Sequence, residues 1–369
     1  MCQTLCRCSL VCKAWPQKAT KYLSVRVSIH SVEQLLQYDK VVKFSHSVLH
    51  SLSIDIPQRF THRGQSCSVI GSTILLISKL SNLRQLDIEC HWHNDHHPRI
   101  LKLLSNTSVQ FLSCIFFIHT SAIRQMIEFI THFRSLQHLS LRICRIHESS
   151  RSQHNQPNSS FQRLLPKTKI CLKELHLDIR DAEVLKLVVD AFIRAKDFAS
   201  HICKQSYIEW PRSQQYKDVY RDLLAHCSSS LQDCHLEVGD IDCDHDVNES
   251  RSLTFVSLHG CNNIRKLQYR FSSNELAKLH KHLQTVSSSL ISEVHFTYEE
   301  RRPEPRKSWT DIENLMIHKF PSLSYVTIEW NSFREMTPAY YFSRCNDALP
   351  KLCQKGILRP ILPPQGWLK

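Results

Sequence analysis

The sequence predicts an α/β solenoid in which short parallel strands alternate with helices. Three observations predict this fold class. A six-residue pattern with apolar residues at its first, fourth and sixth positions recurs along most of the 369 residues. The segments between these patterns carry apolar residues at helical spacing, and the patterns themselves interleave apolar with polar residues. Such regular repetition is typical of folds in which each unit covers the next.

The six-residue pattern occurs nine times. Its first positions lie 26 to 36 residues apart, except for one interval of 59 residues between Leu172 and Leu231. Because that interval is about twice the others, we expect a degenerate unit near Cys203, Ser206 and Ile208. The nine patterns are Leu49-Leu52-Ile54, Leu83-Leu86-Ile88, Val109-Leu112-Cys114, Leu136-Leu139-Leu141, Leu172-Leu175-Leu177, Leu231-Cys234-Leu236, Ile264-Leu267-Tyr269, Ile291-Val294-Phe296 and Leu323-Val326-Ile328.

Each pattern is interpreted as a short strand with its entry loop. Side chains alternate along a strand, so positions four and six point to one side and positions five and seven to the other. Position one turns inward from the loop. The resulting apolar stripe is one that a single unit cannot cover alone, and the neighbouring unit covers it.

Helical spacing is clearest at Ile123, Met126, Ile127 and Ile130, which share one helix face. The same spacing recurs in three further segments: Val184, Leu187, Val188 and Ala191; Tyr216, Tyr220, Leu223 and Leu224; and Leu276, Leu279 and Leu283.

Two helix starts are predicted from capping boxes, a Ser or Thr followed three residues later by Glu. One box is Ser272 with Glu275, and the other is Thr310 with Glu313.

Two α/β architectures fit parallel strands joined by helices. A doubly wound sheet would have continuous apolar strands, because both of its faces are buried. Here apolar and polar residues alternate, as in residues 172–179 (LKELHLDI), so one face must contact water. The sequence therefore favours a leucine-rich-repeat horseshoe with strands on the concave face and helices on the convex face. Only Cys144 and Asn331 match the Asn or Cys usual at position nine, so the repeats are expected to be irregular.

Two polar stretches, residues 148–160 and residues 299–307, are expected to be insertions in the array. The array itself is expected over residues 31–345. Residues 1–30 are expected to form a separate segment, and residues 346–369 a last-repeat cap and tail.

The composition argues against an enzyme. The six glycines are widely spaced and form no P-loop, no Gly-x-Gly-x-x-Gly and no Gly-x-Ser-x-Gly. Phosphate-binding loops and nucleophile elbows need glycine where the backbone approaches a ligand closely. We therefore expect no catalytic residues and no cofactor.

Metal, membrane and nucleic-acid partners are not favoured either. The histidine-rich stretch at 91–97 directly follows a repeat strand and is an unsurprising cluster in a chain with 23 histidines. The cysteines at 2–12 and the aspartates at 240–246 lack the spacing of metal sites, so no metal is expected. No apolar run is long enough to span a membrane. The net charge of +13 is spread along the chain, which makes nucleic-acid binding an unfavoured reading. We expect a protein of the cytoplasm or nucleus with reduced cysteines.

Residues 6–31 (CRCSLVCKAWPQKATKYLSVRVSIHS) differ from the repeats. This segment resembles the second half of an F-box, with the motif SLVCKAW at 9–15 and a strand-like exit at 25–29. Together with the closing segment 348–358, it is similar to fungal F-box proteins with irregular leucine-rich repeats. The chain starts at Met1 without the Leu-Pro motif and first helix of an F-box, so the resemblance covers only its second half.

The resemblance implies that Leu10, Val11, Cys12 and Trp15 dock a Skp1-like adaptor. It also implies that the repeats hold an unknown protein substrate for ubiquitin-dependent degradation. Within the horseshoe, positions five and seven would face this substrate. The residues expected to bind it are Asp87, Glu89, Arg142, His176, Asp178, His235, Glu237, Arg270, His295 and Glu329.

The sequence thus predicts a non-catalytic receptor, the substrate-recognition subunit of an SCF-type ubiquitin ligase. Two alternatives stay open: an adaptor-free leucine-rich-repeat scaffold for protein binding and, less favoured, a basic nucleic-acid-binding protein.

Overall fold

The computed structural model describes fourteen stretches of the chain, which divides into two compact units. Unit 1 is Met1–Phe198 and unit 2 is Ala199–Lys369. The described residues are 26–30, 34, 49–55, 74–92, 102–118, 122–145, 170–179, 181–194, 202–209, 214–238, 257–272, 275–300, 306–332 and 337–361.

Unit 1 is α/β, and the strands described in it pair in parallel in their order along the chain. Its helices are α1 (Ile123–Thr131), α2 (Ala182–Arg194), a 3-10 helix (Lys102–Asn106) and a helical segment at residues 74–79. The strands are β1 (Arg26–Ile29), β2 (Ser51–Asp55), β3 (Gln85–Trp92), β4 (Phe111–Ile118), β5 (His138–Arg145) and β6 (Glu174–Ile179).

Unit 2 has the same organisation, again with parallel strands in chain order. Its strands are β7 (Lys204–Glu209), β8 (Asp233–Val238), β9 (Lys266–Ser272), β10 (Glu293–Glu300), β11 (Tyr325–Ser332) and β12 (Leu358–Pro360). Its helices are α3 (Gln214–Cys227), α4 (Leu276–Thr285), α5 (Arg306–Lys319), α6 (Pro338–Ala348) and α7 (Pro350–Gln354). The predicted α/β class with parallel strands is therefore confirmed.

Positions four and six of all nine predicted patterns are buried, none of them more than 6% exposed. Each lies beside the same position of the next strand, as Leu112 lies beside Leu139. Position one is buried in eight patterns, whereas Leu323 is only half-buried. Because a fully buried leucine contributes roughly 1.5–3 kcal/mol, these rows form the main core of each unit.

The helices cover this same side of the strands. In unit 1, Phe116 of β4 meets Phe129 of α1 with ring centres 6.3 Å apart. In unit 2, Phe271 of β9 meets Trp309 of α5 at 6.1 Å. The predicted helix faces are buried except for Leu187, which is half-buried while its neighbour Leu185 is enclosed. In the helical spacing that the sequence also shows at Ile312, Leu315 and Met316, Leu315 is likewise only half-buried.

A recurring hydrogen-bond motif fixes the start of each strand. The carbonyl at position two of one pattern accepts bonds from the N–H groups at positions two and three of the next. Arg84 and Gln85 thus both donate to His50, at 2.9 Å each. In unit 2, Gln232 and Asp233 donate in the same way to Cys203, at 2.8 and 3.0 Å.

The motif corrects the register predicted for the degenerate unit. We expected Cys203, Ser206 and Ile208 at positions one, four and six. The structure has a strand here, but Cys203 is at position two, and Gln205 and Tyr207 pair with Cys234 and Leu236. The prediction was wrong by one residue because a buried polar residue, Gln205, occupies an apolar position.

The first strand extends the strand order of unit 1, and the last strand extends that of unit 2. β1, expected as the exit strand of the F-box-like segment, pairs with β2 so that Val27 aligns with Leu52. β12 pairs with β11 so that Leu358 aligns with Val326. The segment 25–29 is therefore part of the sheet of unit 1 over its described residues, 26–29.

Neither predicted capping box forms in full. The Glu275 carboxylate accepts bonds from the Ser272 backbone N–H at 2.8 Å and from its hydroxyl at 3.2 Å, which is one half of the box. The helix α4 begins after Glu275, and its N-cap makes no side-chain hydrogen bond. Thr310 and Glu313, in contrast, lie inside α5, which begins four residues earlier, at Arg306.

The expected insertion at 299–307 is also shorter than predicted, because β10 ends at Glu300 and α5 begins at Arg306. The insertion expected at 148–160 lies outside the described residues. No helix among the described residues is long and apolar enough to cross a membrane.

Candidate protein-binding surface

Each unit leaves one side of its strands partly exposed, and we call this side the open face. Positions three, five and seven project there, opposite the buried positions four and six. Along β4, buried and more exposed residues alternate without exception from Phe111 to Ile118. Along β10, they alternate from Glu293 to Glu299. Apart from Glu237, whose side chain lies outside the described part of the chain, the structure places every predicted substrate-binding residue on an open face.

Five of the ten predicted residues lie in unit 1. Asp87 and Glu89 are on β3, Arg142 is on β5, and His176 and Asp178 are on β6. Arg142 pairs in register with Asp178, and its Nε donates to Asp178 Oδ2. Asp178 is only 4% exposed, and its expected contact with a partner stays a prediction.

His176 lies beside this ion pair, and burial lowers its pKa from 6.5. The negative charge of Asp178 raises it in turn, while the positive charge of Arg142 lowers it, and burial is the largest of these effects. At neutral pH the imidazole is therefore uncharged and offers one donor and one acceptor nitrogen.

Three carboxylates lie close together on β2 and β3. Asp55, at position seven of the first pattern, pairs in register with Glu89. Asp87 precedes Glu89 by two residues on the same side and accepts a bond from Gln85 Nε2 at 3.1 Å. His30 Nδ1 lies 3.4 Å from Asp55 Oδ2. No lysine or arginine side chain in the described part of the chain forms an ion pair with Asp55, Asp87 or Glu89.

Position three adds residues that the sequence interpretation missed. Phe111 is 43% exposed and stacks on His138, with ring centres 4.1 Å apart and nearly parallel planes. His138 Nδ1 lies 3.1 Å from Glu174 Oε2 on β6. The alternation of side chains along each strand could have identified these residues, because position three lies on the same side as positions five and seven.

Unit 2 carries the other five predicted residues: His235, Glu237, Arg270, His295 and Glu329. Arg270 donates to Glu299 Oε1 through Nε at 3.1 Å and through Nη2 at 3.0 Å.

Charge alternates along position three of unit 2, where Lys204, Asp233, Lys266 and Glu293 are successive neighbours. Lys266 Nζ lies 3.8 Å from Glu293 Oε2. Burial raises the pKa of Asp233, and the charges of Lys266 and Lys204 offset part of that rise.

His295 joins a hydroxyl and a carboxylate on this face. Its Nδ1 bonds the Thr327 hydroxyl, and its Nε2 lies 3.5 Å from Glu293 Oε2. The arrangement is similar to a nucleophile–base–acid relay. Thr327, however, is only 1% exposed, so its hydroxyl is enclosed where no substrate can reach it. The contacts among Glu293, His295 and Thr327 instead join β10 to β11.

The other predicted sites fall largely outside the described residues. This holds for Leu10, Val11, Cys12 and Trp15, for the cysteines at 2–12, for the aspartates at 240–246 and for the side chains at 91–97. Among the described residues, no group of three His, Cys, Asp or Glu side chains could hold a metal ion. No disulfide bond joins the nine cysteines whose side chains the structure describes. Burial raises the pKa of Cys227 to about 12 and that of Cys261 to about 11, which keeps both thiols protonated.

Fold and surface together define an α/β protein built of repeated strand units, with a polar open face in each compact unit. Comparison of the chain with the known protein families and with curated proteins gives no match. The class of protein therefore rests on the geometry described above.

Proposed function

We propose that this protein is a non-catalytic receptor for another protein, built as an irregular leucine-rich-repeat solenoid. The repeated strand-entry motif and the shared rows of buried residues support the repeat assignment. One observation carries the function: positions three, five and seven lie on the less buried sheet face in both units, and, apart from residues such as Phe111 and Ile115 of β4, most of them are polar or charged. Such a face presents many groups to a large partner and encloses no reaction centre.

We further propose that the receptor is the substrate-recognition subunit of an SCF-type ubiquitin ligase. The support is the F-box-like motif at 9–15, in which Leu10, Val11, Cys12 and Trp15 would contact the Skp1-like adaptor. The protein would act in the cytoplasm or nucleus. It would hold its substrate near the ubiquitin-transferring enzyme and so raise the effective concentration without performing chemistry.

Capture of purified Skp1 by the full chain tests the adaptor assignment. We expect the wild-type protein to retain Skp1 and Trp15→Ala to lose it. Leu75→Ala is a suitable control, since Leu75 is an exposed apolar residue of the helical segment at 74–79. If the wild-type protein does not retain Skp1, the adaptor assignment fails and the adaptor-free scaffold becomes the better description.

Site-specific photocross-linking tests the receptor assignment separately. A photoreactive residue at position 270 or 142, on the open face, should cross-link a cellular protein. The same residue at position 284, exposed on α4 of unit 2, should not give that product. Equal labelling from all three positions would contradict recognition through the open face.

A further inference from the structure

We propose that the open face of unit 1 binds a basic peptide segment of its partner protein. A lysine or arginine of that segment would lie against Asp55, Asp87 and Glu89, and an apolar side chain of it would pack on Phe111. The inference rests on the proposed receptor function, because it names the chemistry of the partner for the same surface.

The charge on this face is opposite in sign to that of the chain. The chain has 47 basic and 34 acidic residues. The charged side chains described on the open face of unit 1 are one arginine, Arg142, and five carboxylates: Asp55, Asp87, Glu89, Glu174 and Asp178. Because Arg142 is already paired with Asp178, the arginine leaves the carboxylates on β2 and β3 unneutralised. A basic segment complements this field.

The arrangement of these carboxylates is unfavourable without a partner. Asp55 and Glu89 are directly opposite each other on neighbouring strands, which lie about 4.8 Å apart. Like charges in such cross-strand positions destabilise a sheet. A bound cation would remove this repulsion. The repulsion energy that the folded sheet carries without a partner would therefore add to the free energy of binding.

An independent observation on the same face also indicates a missing donor. Asp178 is 4% exposed, and its Oδ2 accepts from Arg142. Its Oδ1 is buried without a donor among the described residues. Buried carboxylate oxygens are almost always hydrogen-bonded. A peptide N–H or a lysine ammonium lying over β5 and β6 would supply the bond.

The size of the face fits a short segment. From Asp55 on β2 to Asp178 on β6 there are four strand intervals, or about 19 Å at the usual spacing. An extended peptide covers that distance in about six residues. Phe111 on β4 is 43% exposed. It aligns with Gln85, four residues before Glu89 on β3, so it offers an apolar contact about 13 Å to one side of this row.

The experiment is a selection from a phage-displayed random twelve-residue peptide library on the immobilised full chain, followed by fluorescence anisotropy with the enriched peptide. We expect enrichment of lysine and arginine. We also expect affinity to fall steeply between about 50 and 500 mM salt, because screening weakens such contacts. Glu89→Gln should weaken binding about tenfold, as expected for losing one charged hydrogen bond.

A matched control is Glu293→Gln, which removes an open-face carboxylate from unit 2, where Lys266 faces it. The Glu293→Gln variant should bind the peptide with the same affinity as the wild type. Glu89→Gln should not lower the urea midpoint of unfolding, because it relieves the repulsion from Asp55. Loss of affinity with undiminished stability would show that a contact, and not the fold, has been removed.

Three results would overturn the inference: enriched peptides without basic residues, unchanged affinity in Glu89→Gln, or no enriched peptide. If the enriched peptides had no basic residues but lost binding to Phe111→Ala, the basic-segment inference would fail and the proposed receptor function would still be supported. Failure to retain Skp1 would affect only the adaptor assignment.

Discussion

Gln205 offers the sharpest test of how the repeat stabilises unit 2. It occupies position four of β7 and is fully buried, in a row whose other members are Cys234, Leu267, Val294 and Val326. Leucine is the commonest residue in this position of the repeat. We predict that Gln205→Leu raises the free energy of unfolding.

The magnitude follows from the contacts of the amide. Gln205 Oε1 accepts a bond from Cys227 Sγ at 3.4 Å, and losing this weak thiol bond should cost less than about 1 kcal/mol. Gln205 Nε2 is buried and has no acceptor among the described residues. Removing an unpaired buried amide relieves about 1–3 kcal/mol. A leucine side chain also adds apolar burial, so the net gain should be about 1–3 kcal/mol.

Urea unfolding of the full chain, followed by circular dichroism and tryptophan fluorescence, measures this gain. With a slope of about 3 kcal/mol per molar urea, the midpoint should rise by roughly 0.3–1 M at an unchanged slope. Gln232→Leu is the matched control, because Gln232 is exposed one residue before β8 and should change stability by less than about 0.5 kcal/mol. A lower midpoint for Gln205→Leu would refute the reasoning, since it would mean that the amide is satisfied where it lies.

Substitutions at three other positions are tested by the same unfolding assay. Glu313 is fully buried, and its Oε1 accepts a bond from the Leu352 N–H at 2.9 Å. Glu313→Ala should therefore lower the free energy of unfolding by about 1–3 kcal/mol, and Glu313→Gln should lower it by less. Arg142→Gln leaves the buried Asp178 carboxylate without its cation and should cost about 1–2 kcal/mol; an unchanged midpoint would show that solvent replaces the arginine. Burial lowers the pKa of His282 from 6.5 to about 3, so folding favours the neutral ring. The stability that depends on this neutral ring is fully present above pH 6.5. It falls by about 1.4 kcal/mol per pH unit as the pH decreases toward 3. His282→Leu should flatten the dependence of unfolding free energy on pH by about one proton between pH 6 and 4, and a slope equal to that of the wild type would contradict this.

The strands could be predicted wherever an apolar residue stands at each inward position. Leu136, Leu139 and Leu141 identify β5 because they match the six-residue pattern that recurs along the chain. The method fails at Gln205, since a buried amide looks like a surface residue in the sequence. At β1 the six-residue pattern is absent. Residues 25–29 are expected to be strand-like, and a strand is present over 26–29, but its pairing with β2 could not be predicted from the pattern.

The helix starts show a similar limit. The spacing of Ser272 and Glu275 and that of Thr310 and Glu313 are identical, yet the first pair lies just before a helix, where Glu275 bonds Ser272, and the second pair lies inside one. A Thr and a Glu three residues apart also lie on one face inside a helix, and there the Glu can turn inward. Glu313 does so and binds the start of α7, a contact 39 residues away in the chain that no local pattern contains.

The open face could be predicted as a set of positions but not as a set of charges in contact. Alternation places Arg142 and Asp178 on one side of the sheet. Arg142 and Asp178 occupy position seven of successive patterns, and so do Asp55 and Glu89, so the repeat predicts that each pair lies side by side. Only the structure shows that Asp178 becomes buried beside its arginine and that Asp55 and Glu89 have no lysine or arginine ion-pair partner among the described residues.

The charged pairs on the two open faces have opposite effects on stability. In unit 2 opposite charges alternate across neighbouring strands, as in Lys266 beside Glu293, and each such pair contributes roughly 0.2–1 kcal/mol. A face neutralised in this way presents little net field to a partner. In unit 1 the pair formed by Asp55 and Glu89 has the opposite effect, and its field extends into solvent. Stability alone would favour glutamine or lysine in place of one of the two. Glu89→Gln should accordingly raise the free energy of unfolding while it lowers the affinity for a basic segment, and only a surface built for binding predicts both signs at once.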